Sequence, residues 1–383
     1  MAEYAILRRT MALPRISGTA AIGFSPSSSP AAPMVDVHEL SRTEVADVVR
    51  DPDVLAVSRA MPTKLIEPAV AAAATSAWGI GAVGADTSAF TGAGCKVAVL
   101  DTGIDAAHPA FQRIDITEQD FTGSGNGDVQ GHGTHCAGTI FGRDVGGVRI
   151  GVARGVDTVL VGKVLGDDGG GDSPMLFRGI EWAIREGADV ISMSLGFDFP
   201  GFVARLIGDG WPPELATSVA LEAYRDNLRM FDGLMGMVQA GAPFDRDPVV
   251  IAASGNEADR PRFKIAASIP SAAFNTVSVA AVGPAAGGKF KVAQFSNSMP
   301  VLAGPGVDIL SAAPRGGTAT MSGTSMACPH VAGVAALWFE SLRARGLRAG
   351  GASIQSQLRG TGRTEVIEGM DEADVGAGMV TAP

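Results

Sequence analysis

Short apolar runs alternate with amphipathic stretches over most of the chain. From Trp78 onward, runs such as Cys95–Leu100 are apolar at nearly every position, as is typical of strands buried in a parallel sheet. Stretches with helical periodicity separate these runs. The alternation predicts an α/β fold, a three-layer sandwich in which a mostly parallel central sheet is flanked by helices. The predicted strands are 95–100, 156–165, 189–194, 249–253 and 276–281, and the predicted helices are 132–142, 173–186 (with Ser173 as its N-cap), 215–240, 325–345 and 352–359.

The first 72 residues follow a different pattern. Residues 1–34 contain a stretch rich in Ser, Pro, Ala and Gly, and we interpret them as an N-terminal extension or linker. Residues 35–72 carry a strand–helix–strand pattern in which Ser41 precedes an amphipathic helix. This predicts a small α+β N-terminal domain, followed by one large domain over residues 73–383.

Composition excludes several classes of protein. The chain has 383 residues, of which 46% are hydrophobic, so it can bury a large core. A formal net charge of -10 argues against nucleic-acid binding, because the phosphate backbone would repel the protein. The three cysteines, Cys95, Cys136 and Cys328, form neither a disulfide framework nor a zinc-binding spacing.

Two features of the sequence bear on membrane insertion and secretion. No stretch approaches the roughly 18 apolar residues that a membrane span needs. Arg8, Arg9 and Pro14 interrupt the N-terminus, so no signal peptide is recognised. The sequence as it stands predicts a cytoplasmic protein with no membrane partner, although a trimmed secreted protein would have the same pattern.

Four polar residues stand at the ends of predicted strands or the starts of predicted helices. Asp101 follows the strand 95–100, at the edge of a parallel sheet where ligands bind. His132 begins a helix, and because the zincin motif His-Glu-x-x-His is absent we interpret it as a general base. Ser325 also opens a helix, where a free backbone N–H can bind an oxyanion. Asn256 follows the strand 249–253 and can donate to the same oxyanion.

Each of these residues alone has an ordinary structural interpretation. Asp101 could cap a loop, Asn256 could form an Asx turn and Ser325 could be only an N-cap. Together they supply a carboxylate, a base, a nucleophile and an oxyanion donor in the chain order Asp, His, Ser, which is the order found in subtilisin.

The chain resembles the subtilisin-like serine peptidases over roughly residues 75–380. The resemblance is carried by DTGID (101–105), HGTHCAG (132–138), AASGNE (252–257) and GTSMACPHVAG (323–333). It implies a serine endopeptidase that forms an acyl-enzyme, with Asp101 as orienting carboxylate, His132 as general base and acid, and Ser325 as nucleophile. Asn256 is the implied oxyanion-hole donor.

The resemblance also implies two substrate-binding segments. One pairs with a bound peptide as an added strand, and the other forms a wall of the pocket for the residue before the scissile bond. The first consists of Ser194, Leu195 and Gly196, and the second of Ala253, Ser254 and Gly255. The neutral, mostly small residues of the wall predict an apolar residue in that pocket.

The small N-terminal domain has a counterpart in the same family. Residues 35–72 resemble a propeptide that acts as folding chaperone and inhibitor, which predicts a self-processing zymogen cleaved near residues 60–77. The implied partners are protein or peptide substrates and the chain's own propeptide. An N-terminal subdomain that is never removed is the alternative.

This sequence departs from its relatives at two places. The segment of about 197–248 is longer than the family requires. We interpret it as an insertion that shapes substrate choice, binds a partner or is purely structural. No cofactor or metal is expected to be required. The usual calcium site is doubtful, because Ala110 replaces a carboxylate and the stretch 143–149 contains two arginines. A weaker calcium site remains open at Asp167, Asp168 and Asp172.

Two other functions stay open on the sequence alone. One is a catalytically silent pseudoprotease that binds peptides in the same cleft. The other is a peptide ligase or macrocyclase that uses the same triad.

Overall fold

The computed structural model describes residues 1–9, 33–69, 71–72, 74–242, 247–369 and 371–383. Strands and helices alternate along most of it. The strands are β1 Ala2–Arg8, β2 Met34–Leu40, β3 Val54–Arg59, β4 Pro62–Leu65, β5 Lys96–Asp101, β6 Asp115–Asp120, β7 Thr158–Lys163, β8 Gly170–Asp172, β9 Val190–Met193, β10 Leu195–Phe197, β11 Val249–Ala253, β12 Thr276–Pro284, β13 Phe290–Val292, β14 Leu302–Pro305, β15 Ile309–Ala313 and β16 Gly317–Met321. The helices are α1 Arg42–Val48, α2 Trp78–Ala82, α3 His132–Phe141, α4 Ser173–Arg185, α5 Phe199–Gly208, α6 Pro213–Ala240, α7 Thr324–Ala344, α8 Gly351–Gly360 and α9 Glu372–Val375.

An eight-stranded sheet forms the centre of the molecule. Its order is β13-β12-β11-β9-β5-β7-β6, and β14 pairs with β12. Within it the pairings are parallel except that of β12 with the edge strand β13, which is antiparallel. The predicted α/β fold with a mostly parallel sheet is therefore confirmed.

The two faces of this sheet are buried in two separate apolar cores. In β5, Val97 and Val99 face one core, and Ala98 and Leu100 face the other. The alternation follows from the two-residue period of a strand, so a continuous apolar run is needed to bury both faces. Helices α3 and α7 cover the first face, and α4 and α6 cover the second.

The N-terminal residues form a separate small sheet that packs on this second face. Its order is β2-β1-β3, with both pairings antiparallel. The prediction of an N-terminal extension over residues 1–34 is wrong for Ala2–Arg8, which form the central strand. Residues 10–32 of that extension lie outside the described residues. Between β2 and β3, α1 begins at the predicted cap, since Ser41 and Glu44 form a capping box.

The N-cap of α4 differs from its prediction. Ser173 is the first residue of α4, and the N-cap is Asp172, whose side chain accepts from the backbone N–H of Met175 at 2.9 Å. A carboxylate at this place also interacts favourably with the helix dipole.

The predicted insertion contains α5 and the whole of the long helix α6. Both helices pack against each other, and α6 also contacts β3 of the N-terminal sheet. Residues 243–246 at the end of the insertion lie outside the described residues. Across the part of the chain that is described, no helix has the length and apolar character required to cross a membrane.

Candidate active site

Asp101 and His132 meet at the carboxyl edge of the central sheet. Asp101 is the last residue of β5, and His132 is the first residue of α3. Asp101 Oδ1 lies 2.8 Å from His132 Nδ1, and both side chains are at most 1% exposed. The carboxylate at Nδ1 holds the imidazole so that Nε2 is the nitrogen left for proton transfer. His132 Nε2 has no hydrogen-bond partner among the described residues.

Two glycines permit this close approach of helix and strand. A Cβ on Gly133 would overlap the carbonyl oxygen of Gly103, so only glycine fits at this point of α3. The glycines of the two motifs therefore bring the start of α3 against the loop that follows Asp101.

Ser325 lies in the first turn of α7, which packs against α3. Its Oγ is 3.3 Å from the carbonyl oxygen of Ile66 and 3.4 Å from that of Ser194. Cys136 links Ser325 to the base, because its Sγ lies 3.4 Å from the Ser325 carbonyl oxygen and 3.8 Å from His132 Nδ1. No hydrogen bond joins Ser325 Oγ to His132 Nε2 in the described residues.

The side chain of Asn256 is oriented by the first turn of α7. Its Oδ1 accepts from the backbone N–H and the hydroxyl of Thr324, each at 2.9 Å. Its Nδ2 consequently points into the cleft, where it donates to the carbonyl oxygen of Glu67 at 2.9 Å. An amide held in this way is suited to stabilise a negatively charged oxygen.

The segment predicted to pair with a substrate peptide pairs instead with β4 of the same chain. Leu195 and Gly196 of β10 lie opposite Leu65 and Lys64 in antiparallel register. Ser194, just before β10, donates its hydroxyl to the Ser325 carbonyl oxygen at 3.1 Å. On its other edge β4 pairs with β8, so it is the middle strand of a three-stranded sheet across the cleft.

The second predicted substrate-binding segment lies at the end of β11. Ala253 is the last residue of that strand, the N–H of Ser254 donates to Val279, and the N–H of Gly255 donates to the hydroxyl of Thr324 at 3.1 Å. These bonds fix the segment between β12 and the start of α7.

Residues 63–67 contact the candidate site, and the motifs did not reveal them. Ile66 is only 4% exposed, and a Cβ on Gly196 would lie 3.6 Å from its Cγ1. Ser325 contacts the carbonyl of Ile66, whereas Asn256 binds the carbonyl of the next residue, Glu67. The candidate nucleophile and the candidate oxyanion donor are therefore directed at two different peptide groups of the bound segment.

The buried thiols near this site are poor nucleophiles. Burial is the largest cause that raises the pKa of Cys136 well above its ordinary value, and burial also raises the pKa of Cys328 to about 11. Both thiols are protonated at neutral pH, so neither is suited to replace the Ser325 hydroxyl.

One buried group has the composition of a metal site. Ligand atoms of Asp101, His132 and Cys136 lie within 4.8 Å of one another. A metal ion there would take the Nδ1 of the candidate base and would require loss of the Cys136 proton, whose pKa is raised. These three side chains therefore favour the hydrogen-bonded Asp101–His132 pair over a bound metal ion.

The positions considered for calcium are engaged by the protein itself. The guanidinium of Arg143 donates to the carbonyls of Arg154 and Val156, and that of Arg149 donates to the carbonyls of Gly151 and Val152. Carbonyl oxygens are calcium ligands, and here protein cations occupy them.

The three aspartates of the other candidate calcium site also have partners. Asp167 pairs with Lys163 at 2.6 Å, Asp168 accepts from the N–H of Gly170, and Asp172 caps α4. Each of the three carboxylates therefore has a partner within the protein.

The sequence of this chain matches a known protein family. The sequence profile of the subtilase family, Peptidase_S8, matches residues 92–361. The chain is 34% identical over 254 residues to the major intracellular serine protease of Bacillus subtilis (strain 168), covering 64% of this chain and 68% of that protein. It is 36% identical over 254 residues to an intracellular serine protease of Paenibacillus polymyxa, covering 64% of this chain and 67% of that protein. An alkaline proteinase of Hapsidospora chrysogena is 29% identical over 348 residues, covering 85% of this chain and 76% of that protein. The chain belongs to the subtilase family and is a subtilisin-like serine endopeptidase.

Proposed function

We propose that Asp101, His132 and Ser325 hydrolyse peptide bonds through an acyl-enzyme. The observation that carries this proposal is the buried 2.8 Å contact between Asp101 and His132 in the cleft that also contains Ser325. His132 Nε2 accepts the Ser325 proton as Oγ attacks the carbonyl carbon, and then gives that proton to the leaving amine. Water attacks the acyl-enzyme in the second half of the reaction and regenerates Ser325.

Asn256 stabilises the oxyanion in this mechanism. Its Nδ2 already binds a carbonyl oxygen in the cleft, and the backbone N–H of Ser325 at the start of α7 is the second donor. Oxyanion binding by one side-chain amide and one backbone N–H needs no metal ion, and we propose that catalysis requires no cofactor or calcium.

We further propose that the chain is a zymogen whose N-terminal residues inhibit it. Support comes from β4, which fills the peptide-binding strand position, and from the Glu67 carbonyl, which occupies the Asn256 amide. Since Ser325 and Asn256 contact different carbonyls, no single peptide group after β4 is placed for attack, although β4 itself pairs with β10 as a substrate strand would. Activation then requires the segment to shift or to leave, with cleavage in residues 60–77.

A cytoplasmic location is part of the same proposal. Two relatives are named intracellular serine proteases, which supports the prediction made from the N-terminal sequence. The substrates of the enzyme are then proteins or peptides of the same compartment.

The test compares the wild-type protein with Ser325→Ala. We expect a fluorophosphonate probe to label wild type at Ser325 and wild type to cut a peptide library, with the variant slower by about 10⁶-fold, the loss known for subtilisin. Intact mass should show that only Ser325→Ala keeps its N-terminal residues indefinitely.

Three outcomes would contradict parts of this proposal. An unlabelled wild type with an uncut library would identify a pseudoprotease. Cyclised or joined peptides, recognised by their mass, would identify a ligase. A wild-type N-terminus that stays intact while the library is cut would refute self-processing and leave the peptidase.

A further inference from the structure

A salt bridge connects the strand in the cleft to the insertion. Lys64 Nζ of β4 lies 3.0 Å from Asp198 Oδ1. Asp198 directly follows β10 and is the first residue of the loop that leads into α5, within the predicted insertion. It is thus a carboxylate on the peptide-binding wall, at the start of the segment predicted to be an insertion.

The position of Asp198 is fixed by other contacts. Its backbone N–H donates to the carbonyl of Pro62 at 2.9 Å, which ties it to β4. Its Oδ1 also accepts from the N–H of Gly201 at 3.2 Å as the N-cap of α5. A side chain held by a helix cap loses little further freedom when it binds a ligand.

The strand β4 shows how a substrate would place its side chains. Thr63 and Leu65 are 2% and 6% exposed, and Lys64 between them is 48% exposed at its side chain. Ile66 is buried, and its carbonyl oxygen lies 3.3 Å from Ser325 Oγ. The residue at the reactive serine is therefore aliphatic, and the residue two positions earlier reaches the Asp198 carboxylate.

We propose that Asp198 forms a subsite for a basic side chain located two positions before an aliphatic residue at the cleaved bond. The proposal rests on the proposed peptidase function and names its substrate class: protein segments with the order basic, apolar, aliphatic. An uncharged or acidic residue at the first of these positions leaves Asp198 unpaired or repelled.

The expected preference is modest, because the pair is partly exposed to solvent. Partly exposed ion pairs change an equilibrium by about 2-fold to 5-fold. The net charge of -10 attracts any cationic peptide regardless of the position of its charge. The test must therefore keep the charge of the peptide constant and move only its location.

Two ten-residue peptides of identical composition meet this requirement. Both follow residues 60–69, with alanine in place of Pro68. In the first, Lys stands at the position of Lys64 and Gln at that of Ala60, and in the second these two are exchanged. The peptides compete in one enzyme sample, so the ratio of their kcat/KM values does not depend on how many enzyme molecules have a free cleft.

We expect wild type to cut the first peptide about 2-fold to 5-fold faster, after the isoleucine, as located by mass spectrometry. Asp198→Asn removes the charge and keeps the oxygen that caps α5, and it should bring the ratio to one. Asp209→Asn removes the same charge at the exposed C-terminal end of α5 and should keep the wild-type ratio.

Two results would overturn the inference while the peptidase stands. One is equal cleavage of both peptides by wild type, and the other is a preference that persists in Asp198→Asn. If wild type cuts the peptide library but neither of these peptides, the inference fails and the peptidase stands; if it cuts neither the library nor the peptides, both fail.

Discussion

Two buried histidines outside the candidate triad contribute to the pH dependence of folding. Burial lowers the pKa of His330 to about 4 and that of His135 to about 3. His330 lies inside α7, with Nδ1 2.8 Å from the carbonyl oxygen of Met326, and a Cβ on Gly79 would overlap its ring. Both histidines are therefore neutral in the folded protein at neutral pH.

These depressed pKa values predict acid destabilisation. In the unfolded chain a histidine titrates near 6.5, so the unfolded state binds more protons below that pH. Above about pH 6.5 these histidines leave the free energy of unfolding unchanged. Below it the free energy of unfolding falls by up to about 1.4 kcal/mol per pH unit for each histidine, down to about pH 4 for His330 and about pH 3 for His135. In His330→Gln, the free energy of unfolding from urea titrations should fall less steeply as the pH is lowered. The difference in slope should be up to that amount per pH unit. An equal substitution at the exposed His38 is the control, and an unchanged slope in His330→Gln would contradict the account.

Sequence reasoning reached the candidate triad and predicted an inhibitory propeptide, but it did not identify the N-terminal residues that contact the site. Asp101, His132, Asn256 and Ser325 stand in motifs with fixed glycines, so local sequence sets their places at strand ends and helix starts. The contact of Asn256 with Glu67 joins residues 189 positions apart. Nothing in the local pattern around Glu67 marks its carbonyl as a ligand, because the bond uses the backbone.

At the scale of elements, the helix α6 attaches the N-terminal sheet to the enzyme. Asn227 is fully buried in α6, and its Nδ2 donates to the carbonyl of Arg59 at the end of β3 at 2.8 Å. Phe202 of α5 lies below the same residue, with the Arg59 guanidinium 5.7 Å from its ring centroid. The insertion thus contributes contacts to the docking of β3 beyond those of the central sheet.

Removal of the Asn227 amide should loosen the N-terminal sheet without unfolding the rest. In Asn227→Ala the Arg59 carbonyl loses its side-chain donor, at a cost of about 1–3 kcal/mol. We expect faster hydrogen exchange at the amides of β1 and β3, with β5 and β11 unchanged. Leu221→Ala, at a residue of α6 that is 56% exposed, is the matched control. Uniformly faster exchange throughout the protein would argue instead for a global effect.

Two of the elements that sequence reasoning missed, β4 and β1, depend on partners that are distant in the sequence. The four residues of β4, PTKL, begin with proline and are too few to give a pattern, and they form a strand because β8 and β10 pair with both edges. β1 was missed because its burial depends on packing against α4 and α6. Long apolar runs such as β5 and β11 carry their own signal, and β11 matches its predicted bounds at both ends.

At the scale of the whole molecule, the cleft is closed by residues of the same chain. Ile66 anchors this closure, since its side chain is buried beside Gly196. Burial of an isoleucine is worth about 1.5–3 kcal/mol, which sets the contribution of this one residue to the closed state.

A charge at position 66 should therefore open the cleft. In Ile66→Asp we expect a fluorophosphonate probe to label Ser325 about tenfold faster or more, because the closed state loses that apolar burial. Ile66→Val keeps a branched apolar side chain and should label at close to the wild-type rate. Equal labelling rates for Ile66→Asp and wild type would show that this residue does not hold the segment in place.

The covalent continuity between β4 and the peptidase has a consequence for the concentration dependence of inhibition. A strand tethered to its own binding site acts at an effective local concentration, of millimolar order for short flexible linkers, rather than at the bulk concentration of the protein. Dilution then leaves the occupied fraction of clefts unchanged, and an external peptide must compete against that local concentration. A single cut in the tether converts this first-order equilibrium into an ordinary bimolecular one, in which the released inhibitor dissociates on dilution.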